Sequence, residues 1–206
     1  MSRNLFYKAH HQVFDPVVAP SGYNAPDDPY GIRRYAKSYI SNCREKELIT
    51  WVKDNVPNWE DDSLSLHVLG VAHRYLKDYS VAKTYLDNAL EKRFSERDLE
   101  RACETVVVLS EIHIAQNDNE GARRLLKEAV KLAPKHCAPH INLLCLSSLE
   151  KDESALKNDF NHMEEVYPEW KKDQTIFQRL EEDGELAFFR STELWATLSS
   201  VLSDKE

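Results

Sequence analysis

The strongest metal-ligand character in the chain lies in His136-Cys137-Ala138-Pro139-His140 with Cys145, because imidazole nitrogens and thiolates are good zinc ligands. Their spacing fits no closed four-ligand motif, so we read them as structural positions and expect no metal. His10-His11 with Asp15 is a weaker grouping of the same kind. For nucleophilic catalysis the chain has cysteines and histidines, but no spacing that pairs a nucleophile with a base, no GxSxG turn and no glycine-rich phosphate loop. Carboxylates such as Glu181-Glu182-Asp183 read as solubilising groups on exposed helix faces. With no catalytic residue and no cofactor implied, the expected role is non-catalytic, and an enzyme on a helical scaffold is the distant alternative.

The elements that would position any such residue are helices. The chain has 206 residues, 30% of them charged, with only five glycines. Average glycine usage is roughly 7%, so little is left for the tight turns of sandwiches and barrels. The net charge of -8 argues against binding nucleic acid, whose phosphates need neutralising, and against docking on anionic lipid. No signal-like apolar run opens the sequence, and nowhere do eighteen apolar residues follow one another, so a soluble, cytoplasmic protein without membrane insertion is expected. Cys43, Cys103, Cys137 and Cys145 are scattered, which suits free thiols better than a disulfide framework.

Residues 1–30 hold Pro16, Pro20, Pro26 and Pro29, and with them Phe6, Tyr7, Phe14, Tyr23 and Tyr30. This is a Pro-rich aromatic arm that cannot form a long helix. Residues 1–40 carry five basic groups against three acidic ones, or +2; the remainder carries 22 against 32, or -10. Residues 31–206 then read as a single helical domain. Ile32, Tyr35, Ala36, Tyr39 and Ile40 form one apolar stripe, and Leu48, Ile49, Trp51 and Val52 the next. A third helix begins near Asp61 or Asp62, whose carboxylates suit a helix N-terminus.

Self-similarity then decides the fold class. Segment 66–92 aligns without a gap within 106–134: Leu69-Gly70 falls over Leu109-Ser110, His73 over His113, Ala82 over Ala122 and Ala89 over Ala129. A degenerate third copy follows 34 residues on, with Pro134 recurring as Pro168. Six extra residues, 93–98, separate the first two copies. Over residues 62–168 the chain resembles the tetratricopeptide repeat (TPR) family, whose helix-turn-helix unit carries Leu-Gly, then Ala, an aromatic or large apolar residue, Ala and Pro at these spacings. The resemblance implies an all-α, right-handed superhelix of antiparallel helix pairs. The pair over 31–57 and the helices over 169–206 would cap it, the latter as 169–182 and 185–201 separated by Asp183-Gly184. In that setting Gly70 and Ala82 let two helices of one unit approach closely, and His73 and His113 stand where Tyr is usual, as packing substitutes.

The resemblance also implies which residues face a concave, partner-binding groove. They are His67, Val71, Arg74 and Tyr75 in the first copy, Glu104, Val107, Glu111 and Ile114 in the second, and Ile141, Cys145 and Ser148 in the third. His67 and Val71 stand where a carboxylate-clamping member would have Lys and Asn, so a carboxylate clamp is not expected. The resulting expectation is a scaffold or adaptor that binds a peptide segment of another protein, one of basic character given the acidic body. Alternatives are an acidic inhibitor or immunity-type protein of a basic toxin, and a type III secretion-type chaperone. Self-association through the C-terminal helix is a further possibility.

Overall fold

A computed structural model describes residues 31–172 and 174–203. The arm of residues 1–30, with its His10-His11 pair, lies outside the described residues. Among those described the secondary structure is helical throughout: ten α-helices joined by short turns and 3-10 segments. We number them α1 (Ile32–Ser41), α2 (Glu45–Asn55), α3 (Ser63–Tyr75), α4 (Tyr79–Ser95), α5 (Leu99–Ala115), α6 (Asn119–Leu132), α7 (Cys137–Glu150), α8 (Glu153–Val166), α9 (Gln174–Glu182) and α10 (Glu193–Ser203).

Each helix packs antiparallel on the next, in the order α3 with α4, α5 with α6 and α7 with α8. The first helices also pack on one another, α1 on α3, α3 on α5 and α5 on α7, so they form one layer. Their sequences explain why. Residues 63–72 of α3, 105–112 of α5 and 138–141 and 143–148 of α7 are buried all round, as helices enclosed by neighbours must be. The second helices bury one stripe each: Ala82, Leu86 and Ala89 in α4, Ala122, Leu126 and Ala129 in α6, and Leu156, Phe160 and Met163 in α8. These form the outer layer. At Gly70 a side chain is excluded by contact, since a Cβ there would lie 2.6 Å from Leu86 Cγ and 3.2 Å from the carbonyl oxygen of Ala82.

Four turns share one construction that the sequence did not announce. Lys77, Arg97, Asn117 and Lys151 adopt left-handed backbone with φ of 66°, 59°, 61° and 56°, and each precedes an aspartate. The N–H groups of Asp78, Asp98 and Asp118 donate to the carbonyls of His73, Arg93 and His113 at 2.9 Å, and that of Asp152 to Ser147 at 3.0 Å. This closes the preceding helix in a Schellman-like turn. The Asp98, Asp118 and Asp152 carboxylates then accept from the N–H of Arg101, Gly121 and Ala155 and so cap the following helix. The α6 to α7 joint differs: it runs through Pro134, and His136 caps α7 by accepting from the N–H of Ala138. The six extra residues lengthen α4 to Ser95 and supply the Arg97-Asp98 turn.

At the N-terminal end α1 buries Ile32, Ala36 and Ile40, α2 buries Leu48 and Val52, and the Tyr35 and Trp51 rings pack 4.1 Å apart. Asp62 caps α3 as its carboxylate accepts from the N–H of Ser65 at 2.7 Å. The C-terminal end departs from the two long helices expected. Pro168–Lys172 is a 3-10 turn, α9 covers only nine residues, and Gly184–Leu186 and Phe189–Ser191 are further 3-10 turns before α10. Two capping residues cause the breaks. Asp183 is extended and accepts from the N–H of Glu185, while Thr192 Oγ1 accepts from the N–H of Trp195 to open α10. Asp183-Gly184 does stop α9, but not through a left-handed glycine; among the described residues Gly31 is the left-handed glycine.

Candidate functional site

The eleven residues assigned to a groove fall on α3, α5 and α7, the helices of the inner layer. Most are not open to solvent. His67, Val71, Arg74, Val107, Glu111, Ile141, Cys145 and Ser148 are buried, and Tyr75, Glu104 and Ile114 are partly buried. The structure sorts them into three neighbourhoods.

The first joins α3, α4 and α5. Arg93 is fully buried. Its Nη1 donates to the carbonyl of Arg101 and to Thr105 Oγ1, lies 3.4 Å from His67 Nδ1, and stands 3.9 Å from Glu104 Oε2. His67 Nδ1 in turn lies 3.2 Å from Thr105 Oγ1. Burial, then the charges of Arg93 and Arg33, hold the His67 imidazole well below its ordinary range, so it is neutral. Burial likewise lowers the Arg93 guanidinium to about 10 and raises the Glu104 carboxyl, which the nearby arginines partly counter. Arg93 was not among the expected residues, and the six-residue insertion that carries it was the sequence signal for it.

The second neighbourhood is an ion pair across the layer. Arg74 Nη2 of α3 and Glu111 Oε2 of α5 stand 3.2 Å apart, both buried, and the Arg74 guanidinium lies over the Tyr75 ring at 4.9 Å. The third lies on α7, where residues 183–189 cross the helix. The N–H of Phe189 donates to Ser148 Oγ at 3.3 Å. Leu186 and Phe189 are fully buried in one cluster with Ile141, Leu144 and Cys145. Burial, then the charge of Asp183, pushes the Glu185 carboxyl up to about 7, and Glu185 also feels Arg179, Glu111 and Arg74. Residues 183–189 therefore reach from α7 toward the Arg74–Glu111 pair. Sequence reasoning missed Asp183, Glu185, Leu186 and Phe189 because Leu186 and Phe189 also suit a helical stripe; Thr192-Glu193, a helix-start signal, was the overlooked mark.

The donor set first considered for zinc is dispersed. His136 caps α7, His140 Nε2 is 2.7 Å from the carbonyl of Pro134, and Cys145 faces residues 183–185. Instead Cys145, Asp183 and Glu185 bring one ligand atom each within 4.8 Å of one another. We assign no cation there: Asp183 Oδ2 already meets Arg179 Nη2 at 3.3 Å, and burial pushes the Cys145 thiol well above its ordinary value, which keeps it protonated. His73 and His113 have ring partners as well as a packing role. His73 stacks on Tyr85 with centroids 5.4 Å apart and has Nδ1 3.5 Å from Asp78, while His113 Nδ1 meets Asp118 Oδ2 at 2.7 Å. That hydrogen bond holds the Asp118 carboxyl below its ordinary value.

An all-α stack of antiparallel helix pairs whose first helices share one layer defines a helical-repeat protein, and one of its units matches the tetratricopeptide repeat. The sequence model of the tetratricopeptide repeat matches residues 104–136, which cover α5 from Glu104 onward, the turn after it, all of α6 and the joint to α7. The chain is similar to BBSome complex member BBS4 of Mus musculus, 33% identical over 84 residues that make up 41% of this chain and 14% of that protein. It also aligns with the solved structure of a MamA RS-1 ArsTM double mutant, at 16% identity over 74% of this chain and 99% of that one, with a TM-score of 0.32. A likeness that low carries no argument here. Among the described residues no helix is long and apolar enough to cross a membrane.

Proposed function

We propose that this protein is a non-catalytic scaffold that binds a segment of another protein along its inner helix layer. The observation that carries this reading is the layer itself: three successive first helices lie side by side, and Tyr75, Glu104 and Ile114 of that layer are partly open to solvent. The tetratricopeptide repeat and the similarity to a BBSome complex member, named for its place in an assembly, support a role in protein association. Of the eleven positions expected to line the groove, Tyr75, Glu104 and Ile114 form the accessible seat, while His67, Val71, Arg74, Val107, Glu111, Ile141, Cys145 and Ser148 are buried in the layer that carries it. The acidic body favours a partner with basic groups and would speed its approach. A basic group reaching Glu111 competes with Arg74, however, because that carboxylate already has its counter-ion at 3.2 Å.

Affinity capture with quantitative mass spectrometry tests the reading. A stoichiometric partner held by the native chain is expected to be lost with Tyr75→Ser and with Ile114→Asp, and kept with Val81→Asp on the exposed side of α4. A partner that survives both inner-layer substitutions and is lost with Val81→Asp would place binding on the outer layer instead.

A further inference from the structure

Residues 183–189 differ in kind from the helices on either side of them. They contain an extended aspartate, one 3-10 turn and the start of a second, so they lack the continuous α-helical bonding of the elements on either side. They are held by the Phe189 to Ser148 hydrogen bond, by the fully buried Leu186 and Phe189, by ring contacts of Phe189 with Phe160 and Trp195, and by the Asp183–Arg179 ion pair. They lie over Ile141, Cys145 and Ser148, the positions that the third repeat contributes to the inner face. The Glu185 carboxylate stands among the charges of Asp183 and Glu111, with Arg179 and Arg74 opposing them. Contiguous units of a fold can open before global unfolding, and a segment without continuous helical bonding between two helices is such a unit.

We propose that residues 183–189 are a strap seated in the chain's own groove, that the strap opens while the helix stack stays folded, and that a partner segment of the same chemistry takes the seat. That chemistry is two apolar side chains three residues apart, as in Leu186 and Phe189. The choice of partner rests on the inner-layer reading above; the strap and its opening do not.

Two buried thiols report on the two kinds of opening. Cys145 lies under the strap, whereas Cys103 sits in the core formed by α5, α6 and α7. Residue-resolved alkylation of the full chain without denaturant, read by mass spectrometry, is expected to modify Cys145 at least tenfold faster than Cys103, with exposed Cys43 confirming the reagent. In Leu186→Ala the Cys145 rate is expected to rise a further tenfold or more with the Cys103 rate unchanged. A synthetic peptide with the sequence of residues 182–192 should then slow Cys145 modification in that variant, and a scrambled peptide should not. Equal rates at Cys145 and Cys103 in the native chain, or equal acceleration of both in the variant, would show that the strap opens only with the stack and overturn the proposal. Failure of the peptide to protect Cys145 would overturn the assigned partner chemistry. None of these rates depends on a cellular partner, so loss of the inner-layer reading leaves them interpretable.

Discussion

Replacing Gly70 with alanine tests the packing of the first repeat most directly. The added Cβ would sit 2.6 Å from Leu86 Cγ, 2.8 Å from Leu86 Cδ2 and 3.2 Å from the Ala82 carbonyl, where carbon contacts are comfortable at about 3.5–4.0 Å. Leu86 is fully buried and cannot swing out, so α3 and α4 must separate by something approaching 1 Å at their crossing. Overpacking of this kind costs about 1–3 kcal/mol, and alanine returns close to 1 kcal/mol of helix propensity. With contacts this short the cost falls in the upper half of that range, so the expected net loss is about 1–2 kcal/mol, or a fall in Tm of roughly 2–8 °C for a chain of this length. Leu86→Ala alone is expected to cost about 2–5 kcal/mol, because it leaves a cavity. In that background the methyl at residue 70 enters vacated space, so Gly70→Ala becomes neutral or stabilising and the double-mutant coupling is about 1–3 kcal/mol. Urea titrations of the four proteins, followed by far-UV circular dichroism, measure each corner of the cycle. A Gly70→Ala protein as stable as the native chain, or the same cost in both backgrounds, would refute the close crossing.

Further outcomes follow from the charged and capped positions. Arg74→Met strands the buried Glu111 carboxylate and is expected to cost about 3–5 kcal/mol in urea, while Arg74→Met with Glu111→Leu recovers most of it; an additive double variant would contradict the pairing. Asp118→Ala removes the cap on α6 and the His113 partner together and should lower the urea midpoint in the same titration, whereas Asp118→Asn, which keeps a capping oxygen, should lower it less. Glu185 is held near 7 against an ordinary value of 4.5, so its proton stabilises the folded chain at low pH, and that contribution is lost as pH rises through 7. Glu185→Gln should therefore gain on the native chain by about 1–3 kcal/mol between pH 4.5 and 8, after discounting for partial solvent screening. Parallel pH slopes in the two proteins would count against that burial.

How far the sequence could be read depends on whether a feature is local. Gly70, Ala82 and Leu86 carried the first repeat because close crossing demands small residues at fixed spacing, and Asp62 marked the start of α3 because a capping carboxylate acts within three residues. The left-handed turns escaped notice since Lys77, Arg97, Asn117 and Lys151 occupy positions that glycine usually signals. The C-terminal helices were misplaced because apolar residues at three-residue spacing serve a helix and a pair of 3-10 anchors equally well. Inner-layer positions could be numbered from the repeat, but not their burial. Arg74 meets Glu111 37 residues away, and Ser148 meets Phe189 41 residues away, pairings that no local pattern encodes.

Arg93 has a consequence for how such a chain can be rearranged. Helical-repeat arrays are often treated as strings of equivalent modules, each meeting its neighbours through similar apolar surfaces. Here each junction has its own key: between the first two repeats the Arg93 guanidinium arises from the lengthened end of α4, and its acceptors, Thr105 and the Arg101 carbonyl, are supplied by α5. The junction between α6 and α7 has Pro134 at that place and is crossed instead by Arg123 of α6, which donates to Ser147 and Glu150 of α7 and to Asp159 of α8. Exchanging the first repeat would leave the buried Arg93 cation facing a surface without Thr105 and the Arg101 carbonyl, so the order of the units is written into its arginines.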